Sequence, residues 1–227
     1  RLTGAEALVR RIKPDGTIIS PIDFIPVYEK SGLISRLDRY IWEQAAAKLG
    51  EWKKAGINMS ISVNISPKDF YYIDIFNTFA GLIKKYDIEP SNLKIEITET
   101  TIMSDVPNLM GELEELRKAG FTLEMDDFGS GYSSLNTLKD INVDVLKVDM
   151  GFIKETKNVK KSRIILASVI KMAKELNLLI ITEGVETEEQ VDNLTKLGCD
   201  VFQGYYFSKA IDVNEFEKRY LYRKKAG

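Results

Sequence analysis

The stretch FTLEMDDFGSGYSSLNTLKDINVDVLKVD, residues 121–149, decides how this chain is read. Phe121, Leu123 and Met125 alternate with Thr122, Glu124 and Asp126, a period of two that predicts a strand ending at the pair Asp126 and Asp127. Gly129 and Gly131 then break the backbone, and Val143, Val145, Leu146 and Val148 open a second apolar run around Lys147. Two carboxylates and one ammonium are thereby aimed from neighbouring strand ends. Paired acids usually decorate a solvated turn, but a glycine-rich loop directly behind them favours a built site.

Working outward, similar runs fall at 4–10, 59–64, 93–97, 178–183 and 200–204, which with 121–126 and 143–148 predicts seven strands. Helical periodicity lies between them. Leu37, Ile41, Ala45 and Leu49 share one face of a helix over 33–54, preceded by a short one over 23–30. Leu109, Leu113 and Leu116 mark another, which stops at Gly120, and Ile165, Val169, Met172 and Leu176 a third. Thr187 to Gln190 is a capping box that opens a helix through Val191, Leu194 and Leu197 and closes at Gly198.

Even alternation of strand and helix argues for parallel strands in a single domain over 1–227, and for a closed β/α barrel over an open doubly wound sheet. No Gly-x-Gly-x-x-Gly follows a strand, which speaks against dinucleotide binding. Each strand instead carries a polar residue at or near its end: Glu6, Asn64, Glu96, Asp126 with Asp127, Lys147, Glu183 and Gln203. In a barrel those ends open onto the face where chemistry is done.

Composition narrows that chemistry. The chain has 32 basic and 34 acidic residues, a net charge of -2, so no positive field recommends a nucleic-acid polymer or an anionic membrane. Cys199 is the only cysteine and is expected in the core, which fits a reducing, cytoplasmic setting. The longest apolar candidate, 178–181, is far short of the roughly 18 residues of a membrane span. Histidine is absent, which removes Ser-His and Cys-His triads and histidine-rich zinc sites. Singly, the strand-end acids could be surface acids or turn residues. Gathered, Glu6, Glu96, Asp126, Asp127 and Glu183 would repel one another beyond what Lys147 and Arg10 can neutralise, and a cation is the natural remedy. Hard oxygen donors select magnesium or manganese, in number sufficient for two ions sharing an aspartate, and such pairs serve in-line displacement at phosphorus.

The same residues fall in ordered motifs: Glu-Ala-Leu-Val-Arg at 6–10, Val-Asn-Ile-Ser around Asn64, Glu-Ile-Thr-Glu at 96–99, and Asp-Asp-Phe-Gly at 126–129. Leu-Lys-Val-Asp around Lys147, Glu-Gly-Val-Glu at 183–186 and Gln-Gly-Tyr-Tyr-Phe-Ser-Lys at 203–209 complete them. In these seven motifs, over nearly its whole length, the chain resembles the EAL-domain family of cyclic di-GMP phosphodiesterases. The resemblance implies a TIM-like (β/α) barrel from which the family's first N-terminal strand is missing before Arg1, and hydrolysis of cyclic di-GMP to linear pGpG. It also implies that Glu6, Asn64, Glu96 and Asp126 hold one magnesium or manganese ion and that Asp126, Asp127 and Glu183 hold the second, with calcium inhibitory. Lys147, with Glu183, would act on the attacking water. Leu8, Arg10, Asn64, Asp149, Glu186 and Gln203 would meet substrate.

Glu99 would anchor the loop 128–136, through which the family couples a homodimer to its site; an ordinary surface acid is the plainer reading of that residue. Relatives of this kind follow diguanylate cyclase-like or sensory domains, so a cytoplasmic domain of a larger parent, which could be membrane-anchored, is expected. Ala210 stands where the family continues with proline, beyond the implied ligands. Two other classes compete with the phosphodiesterase. A receptor that binds cyclic di-GMP without cleaving it would be expected to have lost a ligand, and every motif acid is present. A carboxylate glycosidase on Glu96 and Glu183 would need neither Lys147 nor the aspartate pair.

Overall fold

The computed structural model describes residues 1–104, 106–129, 138–139, 141–151 and 159–222. The described chain divides into two compact units, Thr3–Leu123 and Glu124–Gly227, the latter joined by Arg1–Leu2.

In the first unit three strands run parallel in the order β1 (Ala5–Glu6), β4 (Ile61–Asn64), β5 (Leu93–Thr98), while β2 (Arg11–Ile12) and β3 (Ile18–Ile19) form a small antiparallel hairpin. The helices are α1 (Pro21–Ser31), α2 (Ile34–Lys54), α3 (Asp69–Tyr72), α4 (Ile75–Tyr86), α5 (Glu99–Ile102) and α6 (Leu109–Lys118). Strand β5 is apolar at Leu93, Ile95 and Ile97, all fully buried, as expected where both faces of a parallel strand are covered. Trp42 and Trp52 of α2 and Phe79 of α4 are buried beside it, with the rings of Trp42 and Phe79 4.9 Å apart and those of Phe79 and Phe121 5.7 Å apart. Such aromatic pairs add about 0.5–1.5 kcal/mol each beyond their buried area.

In the second unit β6 (Leu123–Asp126), β7 (Val145–Asp149), β8 (Leu179–Glu183) and β9 (Val201–Phe202) pair in parallel in that order, accompanied by α7 (Val159–Glu175), α8 (Glu188–Leu197) and α9 (Val213–Phe216). The capping box holds: the Gln190 N–H donates to Thr187 Oγ1, the Thr187 N–H donates to Gln190 Oε1, and Gly198 ends α8 in the left-handed region.

All seven expected strands are present and parallel; most are shorter than expected, while β5 runs one residue longer, to Thr98, and β7 ends one residue later, at Asp149. The hairpin β2–β3 and the helices α3, α4, α5 and α9 were not expected. Two helix faces also differ from expectation. Helix α7 buries Ser162, Leu166, Ile170 and Ala173 and exposes Ile165, with Leu176 exposed just past its end, because its run of apolar residues is wide enough to satisfy the helical period in two phases. Helix α2 turns Trp42 and Ala46 inward beside Ala45 and Leu49, since the largest side chain claims the core. Among the described residues no helix is long and apolar enough to cross a membrane.

Gly204, directly after β9, shows why one backbone position admits only glycine. A Cβ there would lie 2.2 Å from the Val185 carbonyl oxygen and 2.4 Å from its nitrogen. Gly204→Ala should therefore lower stability by about 3 kcal/mol or more, since backbone must move to relieve the overlap. Gly81, an exposed position of α4, has nothing within 4 Å of an added Cβ. Gly81→Ala should accordingly raise stability by about 0.5–1 kcal/mol. Urea unfolding of both variants checks the pair; equal effects would contradict this account of Gly204.

Candidate active site

Every strand-end residue is placed by register. In the first unit Asn64 of β4 lies opposite Glu96 of β5, and Glu6 of β1 opposite Ser62. The Asn64 amide donates to Glu6 Oε1 at 3.4 Å, a long contact that brings the first two motifs together. Glu96 is buried at 1% exposure, and its carbonyl accepts from the Ile65 N–H. The Asn64 carbonyl accepts from the Trp42 indole N–H at 2.9 Å, so α2 fixes the strand end from behind. Leu8 and Arg10 are exposed, and the Arg10 guanidinium donates to the neighbouring Val9 carbonyl.

Glu99 is not a surface acid. It opens α5 at 1% exposure on a turn capped by Thr98, whose hydroxyl accepts from the Thr101 N–H. The loop it was expected to anchor, 128–136, lies outside the described residues from 130 onward.

In the second unit Met125 pairs with Leu146, which sets Asp126 beside Lys147, and Asp149 pairs with Glu183. Lys147 is 1% exposed, and its ammonium lies 2.8 Å from Glu183 Oε1 and 3.3 Å from Asp126 Oδ1. A buried ammonium is tolerable only with such partners, and removing one partner of a buried pair typically costs about 3–5 kcal/mol. Asp127 follows in the left-handed region (φ 55°), rare for a residue with a side chain, and its N–H donates to Asp126 Oδ1 at 2.9 Å. Backbone strain of this kind gathers where a side chain must be aimed. Gln203 is half-buried after β9, held by its N–H to the Thr182 carbonyl and its carbonyl to the Val185 N–H. Asp149 is exposed and accepts from the Gly151 N–H at 2.6 Å; Glu186 is exposed beside the α8 cap, its N–H on Gln190 Oε1.

Three acids escaped the sequence reading. Glu124, taken for the polar side of an alternating strand, is fully buried. It shares its face with Asp126 two residues on, and on this strand both faces are covered. Asp69 is fully buried at the start of α3, and Asp38 of α2 is partly buried near it. No spacing rule joins two acids 31 residues apart. Cys199, by contrast, is buried as expected, and burial pushes its thiol up.

Among the described residues no three acidic side chains converge closely enough to hold an ion. The donors present are nonetheless carboxylate and amide oxygens, the chemistry that suits magnesium or manganese.

The EAL domain family model matches residues 1–210. The chain is 36% identical to the signaling protein YkoW of Bacillus subtilis over 96% of this chain and 27% of that protein. It is 33% identical to the cyclic di-GMP phosphodiesterase PdeR of Escherichia coli over 96% of this chain and 33% of that protein. It thus spans no more than about a third of the length of either relative. Among solved structures, the PaMucR phosphodiesterase in complex with c-di-GMP is similar at a TM-score of 0.86 and 34% identity, covering 93% of this chain and 86% of that one. That likeness gives the chain the TIM-like α/β fold class expected from its motifs. Matched over nearly all of its length by model, relatives and structure, the chain belongs to the EAL domain family.

Proposed function

We propose that this domain hydrolyses cyclic di-GMP to linear pGpG. The observation that supports this most directly is the Lys147 ammonium, buried on β7 between Asp126 and Glu183, the last residues of β6 and β8. A glycosidase built on Glu96 and Glu183 has no use for that cation, whereas a hydrolase that activates water beside a phosphodiester does. Relatives named as cyclic di-GMP phosphodiesterases, and a solved relative in complex with c-di-GMP, favour the same substrate.

In this reading Glu6, Asn64, Glu96 and Asp126 are the ligands of one magnesium or manganese ion, and Asp126, Asp127 and Glu183 those of a second. Two such ions, when bound, polarise the attacking water and take up charge on the phosphoryl oxygens. The chain's own groups do the rest. Lys147 holds the attacking water in line and offsets the negative charge of the acids around it. Glu183, in ion-pair contact with that ammonium, fixes its direction. Arg10, whose guanidinium now rests on a neighbouring carbonyl, is free to exchange that contact for a substrate phosphate. Leu8 gives the adjoining base an apolar surface, and Asn64, Asp149, Glu186 and Gln203 supply polar contacts. Glu99, buried at the head of α5, anchors the loop that follows Asp127 and ties the site to a homodimer. The domain works in the cytoplasm as part of a longer signalling protein carrying a sensory or diguanylate cyclase-like domain.

Incubation with cyclic di-GMP and manganese, followed by chromatography, should yield pGpG; binding without product would leave a receptor module instead. Asp126→Asn should abolish turnover, because an amide brings no charge to offset two divalent ions. Lys147→Met should lower kcat by about a hundredfold or more while substrate affinity stays within about tenfold, as fits a group acting on the water. A loss confined to affinity would remove that role from Lys147.

Metal choice gives a separate test. Magnesium binds compactly at about 2.0–2.1 Å, whereas calcium takes six to eight oxygens at about 2.3–2.6 Å, which misplaces and weakly polarises the water. Metal-stripped protein should regain turnover with magnesium or manganese, and with calcium should bind cyclic di-GMP in the calorimeter without releasing product. Comparable turnover with calcium, or full activity in excess chelator, would overturn the two-metal reading.

A further inference from the structure

The turn that follows Asn64 is held by acids, and it is one donor short. Asp69 Oδ2 accepts from the Ser66 N–H at 2.8 Å, and the Ser66 hydroxyl donates to Asp38 Oδ2 at 2.7 Å. One helical turn along α2 from Asp38, the Trp42 indole N–H holds the Asn64 carbonyl. Helix α2 therefore grips the turn at residues 64 and 66. Yet Asp69 Oδ1 is buried, and the nearby Ser35 hydroxyl makes no well-formed hydrogen bond to it, while the Asp38 carboxyl lies next to Asp69 across the Ser66 that both of them hold.

Two ionised carboxylates in that place would set two charges together and leave a buried oxygen without a donor, a costly combination. A single proton removes both faults by turning Asp38 into the donor. The surroundings favour that proton: burial first, then the charge of Asp69 and, less strongly, that of Glu29 on α1, push the Asp38 carboxyl up to about 8 against one lowering contact, the Ser66 hydroxyl. Burial raises Asp69 as well, opposed by the Ser66 N–H it accepts from and by the polar groups of Ser35 and Asp38 beside it. The Lys68 ammonium, next in sequence to Asp69, donates to the Glu29 carbonyl.

We propose that Asp38 and Asp69 share one proton and so clamp the turn after β4, which makes them positioning residues for Asn64. The positioning rests on Asn64 being a ligand, as read above; the proton sharing does not. The bound proton has a direct thermodynamic signature. Its folded-state value lies above that of an unfolded aspartate, about 3.9, so the linked stability is complete below about pH 4 and is lost as the pH climbs to about 8.

Urea denaturation of the full chain across pH 4.5–9, beside calorimetric titration with magnesium alone, tests both halves. The wild-type urea midpoint should fall from about pH 5 to about pH 8, and Asp38→Asn, whose amide donates to Asp69 at every pH, should flatten that fall. Wild-type magnesium affinity should drop about tenfold between pH 7 and pH 9, because one unit above its titration only about a tenth of the pairs keep the proton. Asp38→Asn should hold the affinity within about twofold over that range, whereas Asp38→Ala, folded by circular dichroism, should lose about tenfold already at pH 7. Identical urea profiles for wild type and Asp38→Asn would overturn the shared proton. A flattened profile with magnesium affinity indifferent to pH in every variant would overturn the positioning of Asn64. Failure of the phosphodiesterase reading looks different again: no pGpG from wild type at any pH, with both signatures of the clamp intact.

Discussion

A lysine ammonium buried between two carboxylates is the constraint on which the second unit depends. Lys147 has 1% exposure and sits on the middle strand of β6–β7–β8, with Asp126 and Glu183 on either side. Its desolvation is offset only where both acids reach it. That requirement reinforces strand register, since a slip of one residue would turn Lys147 onto the opposite face and bring Leu146 or Val148 toward the acids. Charge pairing and apolar packing thus select the same register.

The first unit relies on a long helix. Helix α2 buries Trp42 and Trp52 and uses the polar edge of Trp42 to hold the Asn64 carbonyl, so one side chain joins core packing to the placement of a strand-end amide. The Asp38 and Asp69 carboxyls act on the same turn by a different means. There a hydrogen-bond deficit, rather than apolar area, sets the local energetics.

Around the strand ends the backbone repeatedly leaves ordinary geometry. Asp127 and Gly184 stand in the left-handed region directly after Asp126 and Glu183, and Gly204 lets its backbone approach Val185 more closely than any Cβ permits. Each irregularity directly follows a motif residue at or just past the end of a strand. The strain is carried by pairing on both sides: the Phe128 N–H donates to the Lys147 carbonyl and the Met150 N–H to the Glu183 carbonyl.

Much of this was legible in one dimension. Seven parallel strands, the Thr187 capping box, the buried Cys199 and an oxygen-only donor set without histidine follow from local patterns, because strand period, cap chemistry and residue type are properties of short segments. The motifs at Glu6, Asn64, Glu96, Asp126, Lys147, Glu183 and Gln203 were readable for the same reason. Tertiary structure alone decided that Glu99 and Glu124 are buried, which face of α7 packs, that Lys147 bridges Asp126 and Glu183, and that Asp38 meets Asp69. Burial and pairing of an acid depend on what lies above and below its strand and on residues far away in sequence, and no local period records either.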